Sequence, residues 1–290
     1  MGAISVTDLV QVSGSEGPVH VLKDTRVLVV RVGAVVVKAY PDDADEDELT
    51  ARLELCRVLG DLLLPPLGLV RVGGRPVTIW PAGDPVTPED LSGPGGVPWE
   101  EAARLLAALH SRPAPSGAPL SGGPARLARA MARLGADSPP EIAAAYASLP
   151  EPAQTRQAQT RQAHTQQTLT HGDWHLGQIV RHDGRWWLID PDDLGIGDPA
   201  WDLARPAAWF ASGLLEPAAW QRFLGAYVQA AGPAVSRDDP WRELDAPARA
   251  LTVQLAATAV ATARHEGRPL DAAGEALVSS CRRIAAADAP

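Results

Sequence analysis

The 290-residue chain has little cysteine and no excess of positive charge. Cys56 and Cys281 lie far apart in the sequence, which excludes a small disulfide-stapled scaffold and favours reduced, buried thiols. The 35 acidic residues outnumber the 26 basic ones and give a net charge of −9, which argues against a nucleic-acid partner. An acidic surface is compatible with a cationic substrate, but it also serves solubility alone.

Long apolar runs are also missing. The first residues have neither the basic start nor the unbroken apolar segment of a signal peptide, and no later run is long enough to cross a bilayer. Position six is Val6, so Gly2 does not stand in a myristoylation motif. We therefore expect a cytoplasmic protein with no membrane partner, while the sequence leaves its oligomeric state open.

The most informative stretch comes late in the chain. Residues 171–178 read His-Gly-Asp-Trp-His-Leu-Gly-Gln, and residues 188–193 read Leu-Ile-Asp-Pro-Asp-Asp. Between them, two short apolar runs flank an Asp-Gly pair, which is a hairpin signal. The hairpin would bring Gln178 and Asp190 side by side, with Asp173 just upstream. Amide and carboxylate oxygens suit Mg²⁺, and a second carboxylate can accept a hydroxyl proton, so the pattern indicates phosphoryl transfer from a nucleotide to an alcohol.

The order of these residues resembles the aminoglycoside phosphotransferase-like kinases, whose pattern is His-Gly-Asp-x-His-x-x-Asn, a hairpin, Ile-Asp and then Gly-Asp-Pro-x-x-Asp-Leu-Ala. The last element matches residues 197–204. The resemblance implies that Asp173 orients or deprotonates the acceptor hydroxyl and that Gln178 and Asp190 hold Mg²⁺. It implies ATP as the second cofactor, with GTP not excluded. Gln178 stands where Asn is usual, so its side-chain oxygen lies one methylene further out. A Gln at this position resembles the maltokinase-type sugar kinases.

The resemblance also implies a fold: an α+β, protein-kinase-like bilobal chain with a small antiparallel β-sheet lobe at 1–81 and a mainly helical lobe at 82–290. In such a fold the nucleotide lies between the lobes. Two other interpretations stay open. The first is a non-catalytic nucleotide-binding relative, which is suggested by Gln178 in place of Asn, by the missing Phe-Gly after Asp190 and by the unclear glycine-rich loop. His171 and His175 could instead bind zinc in a hydrolase, although no Glu follows the first His and Gly172 argues against a helix.

The N-terminal part predicts three strands, at 19–22, 27–32 and 35–40, because β-branched residues alternate with turn residues there. Lys38 is the one charge near the end of an apolar strand. It suits the kinase lysine that grips the α- and β-phosphates, or else a lysine that protects an edge strand. The phosphate-covering loop is ambiguous between 13–17 and 23–26, neither of which is a P-loop.

A helix is predicted at 42–59, with acidic residues in its first turn. Within it, Glu54 is the expected partner of the strand lysine, and Glu46 and Glu48 are rivals. A second hairpin at 67–80 is followed by a Pro-Ala-Gly break. The resemblance makes this break the hinge, with backbone groups near Trp80 and Ala82 bonding to adenine; an ordinary strand-to-helix loop is the alternative.

The remaining sequence is rich in helical periodicity. Helices are predicted at 99–110, 126–133, 216–232, 246–265 and 270–287. The polar segment 150–168 contains a tandem repeat of Gln-Thr-Arg-Gln-Ala and is expected to be an exposed insertion. Asp192 and Asp193 could pair with a substrate amine or bind a second Mg²⁺, and Trp174 could stack on a substrate ring. The expected function is transfer of the ATP γ-phosphoryl group to a hydroxyl of a sugar, aminosugar or aminoglycoside-like small molecule.

Overall fold

The computed structural model describes residues 4–87, 90, 96–150 and 168–287, so most of the predicted polar insertion lies outside the described residues. The elements in chain order are α1 (Val6–Ser13), β1 (Val19–Asp24), β2 (Leu28–Val32), β3 (Val35–Ala39), α2 (Glu46–Val58), β4 (Gly68–Val72), β5 (Arg75–Pro81), β6 (Asp84–Pro85), α3 (Trp99–His110), α4 (Gly123–Leu134), α5 (Pro140–Ser148), β7 (Thr168–Thr170), β8 (Ile179–His182), β9 (Arg185–Leu188), β10 (Gly195–Gly197), α6 (Ala200–Ala211), α7 (Pro217–Gln229), α8 (Trp241–Glu266) and α9 (Ala272–Ala287). Single 3₁₀ turns lie at Leu176–Gln178 and Pro191–Asp193. This content confirms the predicted α+β class, with an antiparallel N-terminal sheet and a helical C-terminal part.

The chain divides into two compact units. The first comprises Met1–Val97 together with Gly177–Asp192, and the second comprises Pro98–Leu176 together with Asp193–Pro290. The first unit therefore takes in the predicted metal-binding hairpin as well as the N-terminal sheet.

A five-stranded antiparallel sheet in the order β1-β2-β3-β5-β4 forms the centre of the first unit. In β2 every second residue is buried, as expected when one face of a strand packs on a core. Leu9 of α1 is fully buried in that core, although α1 was not predicted from the sequence. α2 follows the sheet, and its N-cap Asp45 accepts a hydrogen bond from the Glu48 N–H at 3.0 Å.

The predicted Asp-Gly hairpin is present in the first unit. β8 and β9 pair from Ile179↔Leu188 to His182↔Arg185, and the turn residues Asp183 and Gly184 have φ of 49° and 79°. Two consecutive positive φ angles are the geometry of the tight hairpin turn that Asp-Gly favours. β6 extends this ladder on the β8 side.

The second unit is mainly helical. Its longest helix, α8, packs against α4, α6 and α9, and the contact face is rich in alanine, so the helices approach closely. α3 packs against α7. The short strands β7 and β10 pair antiparallel and flank the predicted catalytic segment. Among the described ranges, no helix is both long and apolar enough to cross a bilayer.

Candidate active site

Lys38 lies on β3, which is hydrogen-bonded on both sides, by β2 and by β5. The alternative of an edge-strand lysine is therefore wrong, because β3 is not at the edge of the sheet. The Lys38 Nζ lies 2.5 Å from Asp190 Oδ1 and 2.5 Å from Asp192 Oδ2, and its side chain is 12% exposed. The sheet thus delivers one ammonium group to two carboxylates of the hairpin segment.

This cluster of Lys38, Asp190, Asp192 and Tyr40 is tightly coupled. Asp192 Oδ1 accepts a hydrogen bond from the Tyr40 hydroxyl at 2.8 Å. Burial and the neighbouring Asp190 charge raise the pKa of Asp192 above its ordinary value, against the pull of Lys38. Burial alone would lower the pKa of Lys38, but Asp190 and Asp192 outweigh it and raise the pKa well above the usual value. With Lys38 charged and both carboxylates ionised, the cluster carries one excess negative charge and attracts a cation.

Gln178 and Asp190 lie side by side, as the hairpin predicts. The Gln178 Nε2 donates to Asp190 Oδ2 at 3.3 Å, and Gln178 is 6% exposed. Asp190 has a φ of 59°, a left-handed conformation that Asp tolerates better than most residues and that occurs often at functional sites.

The oxygens of this pair fit Mg²⁺. Turning the Gln178 amide would present its oxygen beside the Asp190 carboxylate, and the excess negative charge of the cluster favours a divalent ion. Within the described residues, no group of three or more His, Cys, Asp or Glu side chains could hold a metal by itself. Mg²⁺ is commonly held by one or two carboxylates together with substrate phosphates, and Asp190 with Gln178 supplies such a partial ligand set.

Glu54 is not brought to the lysine. It lies on the exposed face of α2, and the carboxylates that contact Lys38 among the described residues are Asp190 and Asp192. The helix face turned toward the cluster instead carries Cys56, whose pKa burial and these two carboxylates raise. The expected Lys38–Glu54 pair is therefore replaced by pairs between the lysine and the hairpin segment.

The predicted hinge residues are engaged within the protein. The Ala82 N–H donates to the Ala34 carbonyl at 2.8 Å, and the Ala82 carbonyl accepts from His182 Nδ1 at 2.9 Å. Trp80 pairs with Val36 in the sheet, and its indole N–H donates to the Thr78 hydroxyl at 2.8 Å. Both backbone groups of Ala82 thus serve the fold itself, and we place no adenine contact on them.

In the second unit, two arginines hold Asp173. Arg205 on α6 contacts Asp173 Oδ1 at 2.6 Å, and Arg126 on α4 contacts Asp173 Oδ2 at 2.7 Å. The carboxylate side chain is 14% exposed. Burial lowers the pKa of Arg205 below its ordinary value, and the nearby Arg126 adds to that effect while Asp173 opposes it. Asp173 is therefore held in one orientation by two charged hydrogen-bond donors.

A buried chain of hydrogen bonds fixes the backbone before Asp173. Asp202 accepts from the N–H groups of His171 at 2.6 Å and Gly172 at 2.8 Å, and from His110 Nε2 at 2.9 Å. The Tyr227 hydroxyl accepts from the Ala234 N–H and lies 2.7 Å from His110 Nδ1. In the tautomer whose Nε2–H donates to Asp202, Nδ1 accepts the Tyr227 hydroxyl proton. Burial raises the cost of ionising Asp202, but these donors and the adjacent histidines hold its pKa below the ordinary value. Asp202 therefore braces the backbone of His171 and Gly172.

Asp193 pairs with arginine rather than with the lysine cluster. Arg126 Nη1 lies 2.5 Å from Asp193 Oδ2, and Arg129 lies 3.6 Å from Asp193 Oδ1. Gly172 leaves room for this segment: its φ is 84°, and a Cβ there would lie 2.3 Å from the Asp193 carbonyl oxygen. The two adjacent aspartates therefore serve different partners, Asp192 with Lys38 and Asp193 with Arg126.

The zinc interpretation has no support from the geometry. His171 is fully buried, and neither His171 nor His175 belongs to a metal-binding cluster among the described residues. Arg126, Arg205 and Tyr40 belong to the site but were not among the predicted site residues. Arg205 follows Asp202 by three residues on one helix, a spacing that places both on one helix face, and this signal could have found it. Arg126 gave no local signal.

Comparisons with known proteins identify the family and the fold. A sequence model of the phosphotransferase enzyme family matches residues 20–247. Comparison with curated protein sequences finds no match. A choline/ethanolamine kinase family protein from Mesorhizobium loti is similar in structure, with a TM-score of 0.62, 18% identity and coverage of 96% of this chain and 92% of that one.

Two aminoglycoside phosphotransferase structures are also similar. APH(3'')-Id from Streptomyces rimosus has a TM-score of 0.53 and 21% identity, and the match covers 83% of this chain and 97% of that one. A thermostable mutant of APH(4)-Ia, in a ternary complex with ADP and hygromycin B, has a TM-score of 0.59 and 16% identity, with coverage of 97% and 98%. These likenesses confirm the predicted protein-kinase-like α+β fold.

Proposed function

Because the chain belongs to the phosphotransferase enzyme family, we propose that it is a small-molecule kinase that transfers the γ-phosphoryl group of ATP to a hydroxyl of a sugar, aminosugar or aminoglycoside-like acceptor. The observation that carries this proposal is the cluster in which Lys38, Asp190, Asp192 and Gln178 meet, together with an Asp173 held by two arginines. The solved structures in complex with nucleotide support a nucleoside triphosphate as donor, and GTP stays a second candidate.

Lys38 and Asp190 are assigned to the nucleotide. In this proposal the Lys38 ammonium exchanges a carboxylate partner for phosphate oxygens, and its charge offsets that of the phosphates. Asp190 and Gln178 would hold Mg²⁺, which supplies charge compensation on the phosphates when it is bound. Asp192 and Tyr40 position the lysine, and Asp192 is also a candidate second ligand of the ion. Glu54 keeps no role in this scheme.

Asp173 is assigned to the acceptor. The acceptor hydroxyl oxygen forms a bond to the γ-phosphorus while the bond from that phosphorus to the bridging oxygen breaks, which releases ADP. The hydroxyl proton passes to an Asp173 carboxylate oxygen. Arg126 and Arg205 fix the orientation of the carboxylate, and Asp202 fixes the backbone that carries it.

Two further features belong to the proposal. We assign nucleotide binding to the N-terminal lobe at 1–81, supplemented by the hairpin, and acceptor binding to the lobe at 82–290. Cys56 and Cys281 are both free and buried, in keeping with a cytoplasmic enzyme.

Asp173→Asn tests the assignment. The substitution keeps the size of the side chain but removes the proton acceptor and turns an amide N–H toward one of the two arginines, so we expect kcat to fall by at least about a hundredfold while calorimetry shows unchanged Mg·ATP affinity. Asp245→Asn on the exposed side of α8 is the matched control and should keep wild-type kcat. A wild-type rate in Asp173→Asn with the true acceptor would refute the role of Asp173. Absence of Mg·ATP binding in the wild-type chain would refute the function itself.

A further inference from the structure

A small cavity in the second unit has Asp173 in its wall. The cavity lies among α4, α6, α8 and the segment after β7, and its volume of about 10 Å³ is room for one water-sized group. The proposal below rests on the proposed function, because it takes Asp173 as the group that faces the acceptor hydroxyl.

Three residues that line the cavity each carry a buried polar side-chain atom with no hydrogen-bond partner among the described residues: Trp174 Nε1, Arg205 Nε and Gln254 Oε1. Trp174 is 2% exposed and Gln254 is 6% exposed. Each such atom costs about 1–3 kcal/mol when its partner is missing, and folded proteins keep few of them. Three such atoms on residues that line one small cavity therefore indicate a site that is completed by a bound polar group.

Packing alone does not explain these residues. Gln254 lies on α8, whose neighbouring buried positions are mostly alanine, valine and leucine, so an apolar residue would fill the same place without a polar atom to satisfy. The Trp174 ring stacks on Phe223 with centroids 5.1 Å apart, which fixes the direction of the indole N–H. Packing therefore holds the Trp174 indole, and the pair with Asp173 holds the Arg205 guanidinium, before any ligand binds.

The donor and acceptor pattern selects a hydroxyl. Trp174 and Arg205 each offer one N–H donor, and Gln254 offers a carbonyl acceptor. A hydroxyl group can accept from the donors and donate to the acceptor, whereas an ammonium group can only donate. The surrounding charges agree, since Arg126 and Arg205 balance Asp173 and Asp193 and leave no net negative charge to attract a cation.

We propose that this cavity is the acceptor subsite and that it takes a hydroxyl of a neutral sugar or polyol beside Asp173, so that the enzyme prefers neutral acceptors to polycationic ones. Trp174, Arg205 and Gln254 are its specificity-determining residues. The proposed subsite narrows the acceptor class to neutral sugars and polyols, whereas the proposed function alone also allows aminosugars and aminoglycosides.

The test compares Gln254→Leu with Thr252→Val in the full chain. Thr252 is buried on the same helix, but its hydroxyl donates to the Ala248 carbonyl at 2.8 Å and it does not line this cavity. ADP release is measured with Mg·ATP over a panel of neutral hexoses and polyols, aminosugars, aminoglycosides and sugar acids. Saturation-transfer NMR on the same panel reports acceptor binding without turnover.

We expect neutral hexoses or polyols to give the highest kcat/KM in the wild-type chain. Gln254→Leu should raise the KM for that acceptor by about tenfold, equal to about 1.4 kcal/mol, and should weaken its NMR signal, while the KM for ATP stays unchanged. Thr252→Val should keep both values. Trp174→Phe, which removes the N–H and keeps a stacking ring, should act in the same direction as Gln254→Leu.

Three outcomes would overturn the inference. The first is a highest kcat/KM with aminoglycosides or with sugar acids, and the second is an equal acceptor KM and NMR signal in Gln254→Leu and Thr252→Val. The third is a Gln254→Leu variant that is more stable but has an unchanged KM, which would show that the cavity holds water only. Failure of the kinase function would look different, since no acceptor would release ADP. In that case NMR decides: neutral-sugar binding lost in Gln254→Leu supports the subsite, and no sugar binding to the wild-type chain overturns it.

Discussion

Asp202→Asn should destabilise the second unit strongly, because the residue accepts three hydrogen bonds at a fully buried position. The carboxylate accepts from His171 and His110 on one oxygen and from Gly172 on the other. An asparagine in the least costly orientation turns its Nδ2 toward the Gly172 N–H, so two donors face each other. The loss of that bond costs about 2 kcal/mol, and the two remaining bonds, no longer charge-assisted, weaken by about 1 kcal/mol each, for a total of about 4 kcal/mol.

The assay is urea unfolding followed by tryptophan fluorescence, with Asp245→Asn as control. Asp245 forms an (i, i+4) pair with Arg249 and its side chain is 55% exposed, so its substitution should change the free energy of unfolding by less than about 0.5 kcal/mol. A change below about 1 kcal/mol in Asp202→Asn would refute the reasoning, because a buried three-donor carboxylate cannot be replaced so cheaply.

The pH dependence gives a second check on Asp202. Its pKa is lower in the folded chain than its ordinary value, so the stability it contributes is present above the unfolded-state pKa of about 3.9 and is lost as pH falls toward the folded pKa. The difference in the free energy of unfolding between the wild-type chain and Asp202→Asn should therefore stay constant from about pH 8 to pH 5 and become smaller only below about pH 4. Narrowing near pH 6 would instead point to a histidine.

Two further substitutions probe the candidate site. Lys38→Met should lower kcat/KM for ATP by at least about a hundredfold. Its loss of stability should shrink as pH falls, because the raised pKa of Asp192 lets that carboxylate take up a proton and leaves less unpaired negative charge. A loss that stays equal as pH is lowered, measured by thermal unfolding, would contradict that cause. Gly172→Ala should prevent folding or lower the free energy of unfolding by more than about 3 kcal/mol, because the added Cβ would lie 2.3 Å from the Asp193 carbonyl oxygen. A soluble variant with the wild-type melting temperature would show that the segment can shift.

The identity and order of neighbouring residues were enough to predict the parts of the site that lie close together in sequence. The Asp-Gly hairpin forms where the alternation and turn residues placed it, and it brings Gln178 to Asp190 because a tight turn joins its own flanking residues. The strands of the N-terminal sheet follow from β-branched runs, and α2 forms where the acidic first turn predicted a helix. These features depend on backbone preferences over a few residues.

Only the tertiary structure decided the partners of each charge. Lys38 meets Asp190 and Asp192, which lie 152 and 154 residues further along the chain, and not Glu54 on the next helix. Arg126, Arg205 and Gln254 reach the cavity beside Asp173 from three different helices. Periodicity tells which side of an element is buried, but it carries no information on which of many similar carboxylates, amides or guanidinium groups will face it. That choice is made by the packing of distant elements, and here it determines both the orientation of Asp173 and the chemistry of the cavity next to it.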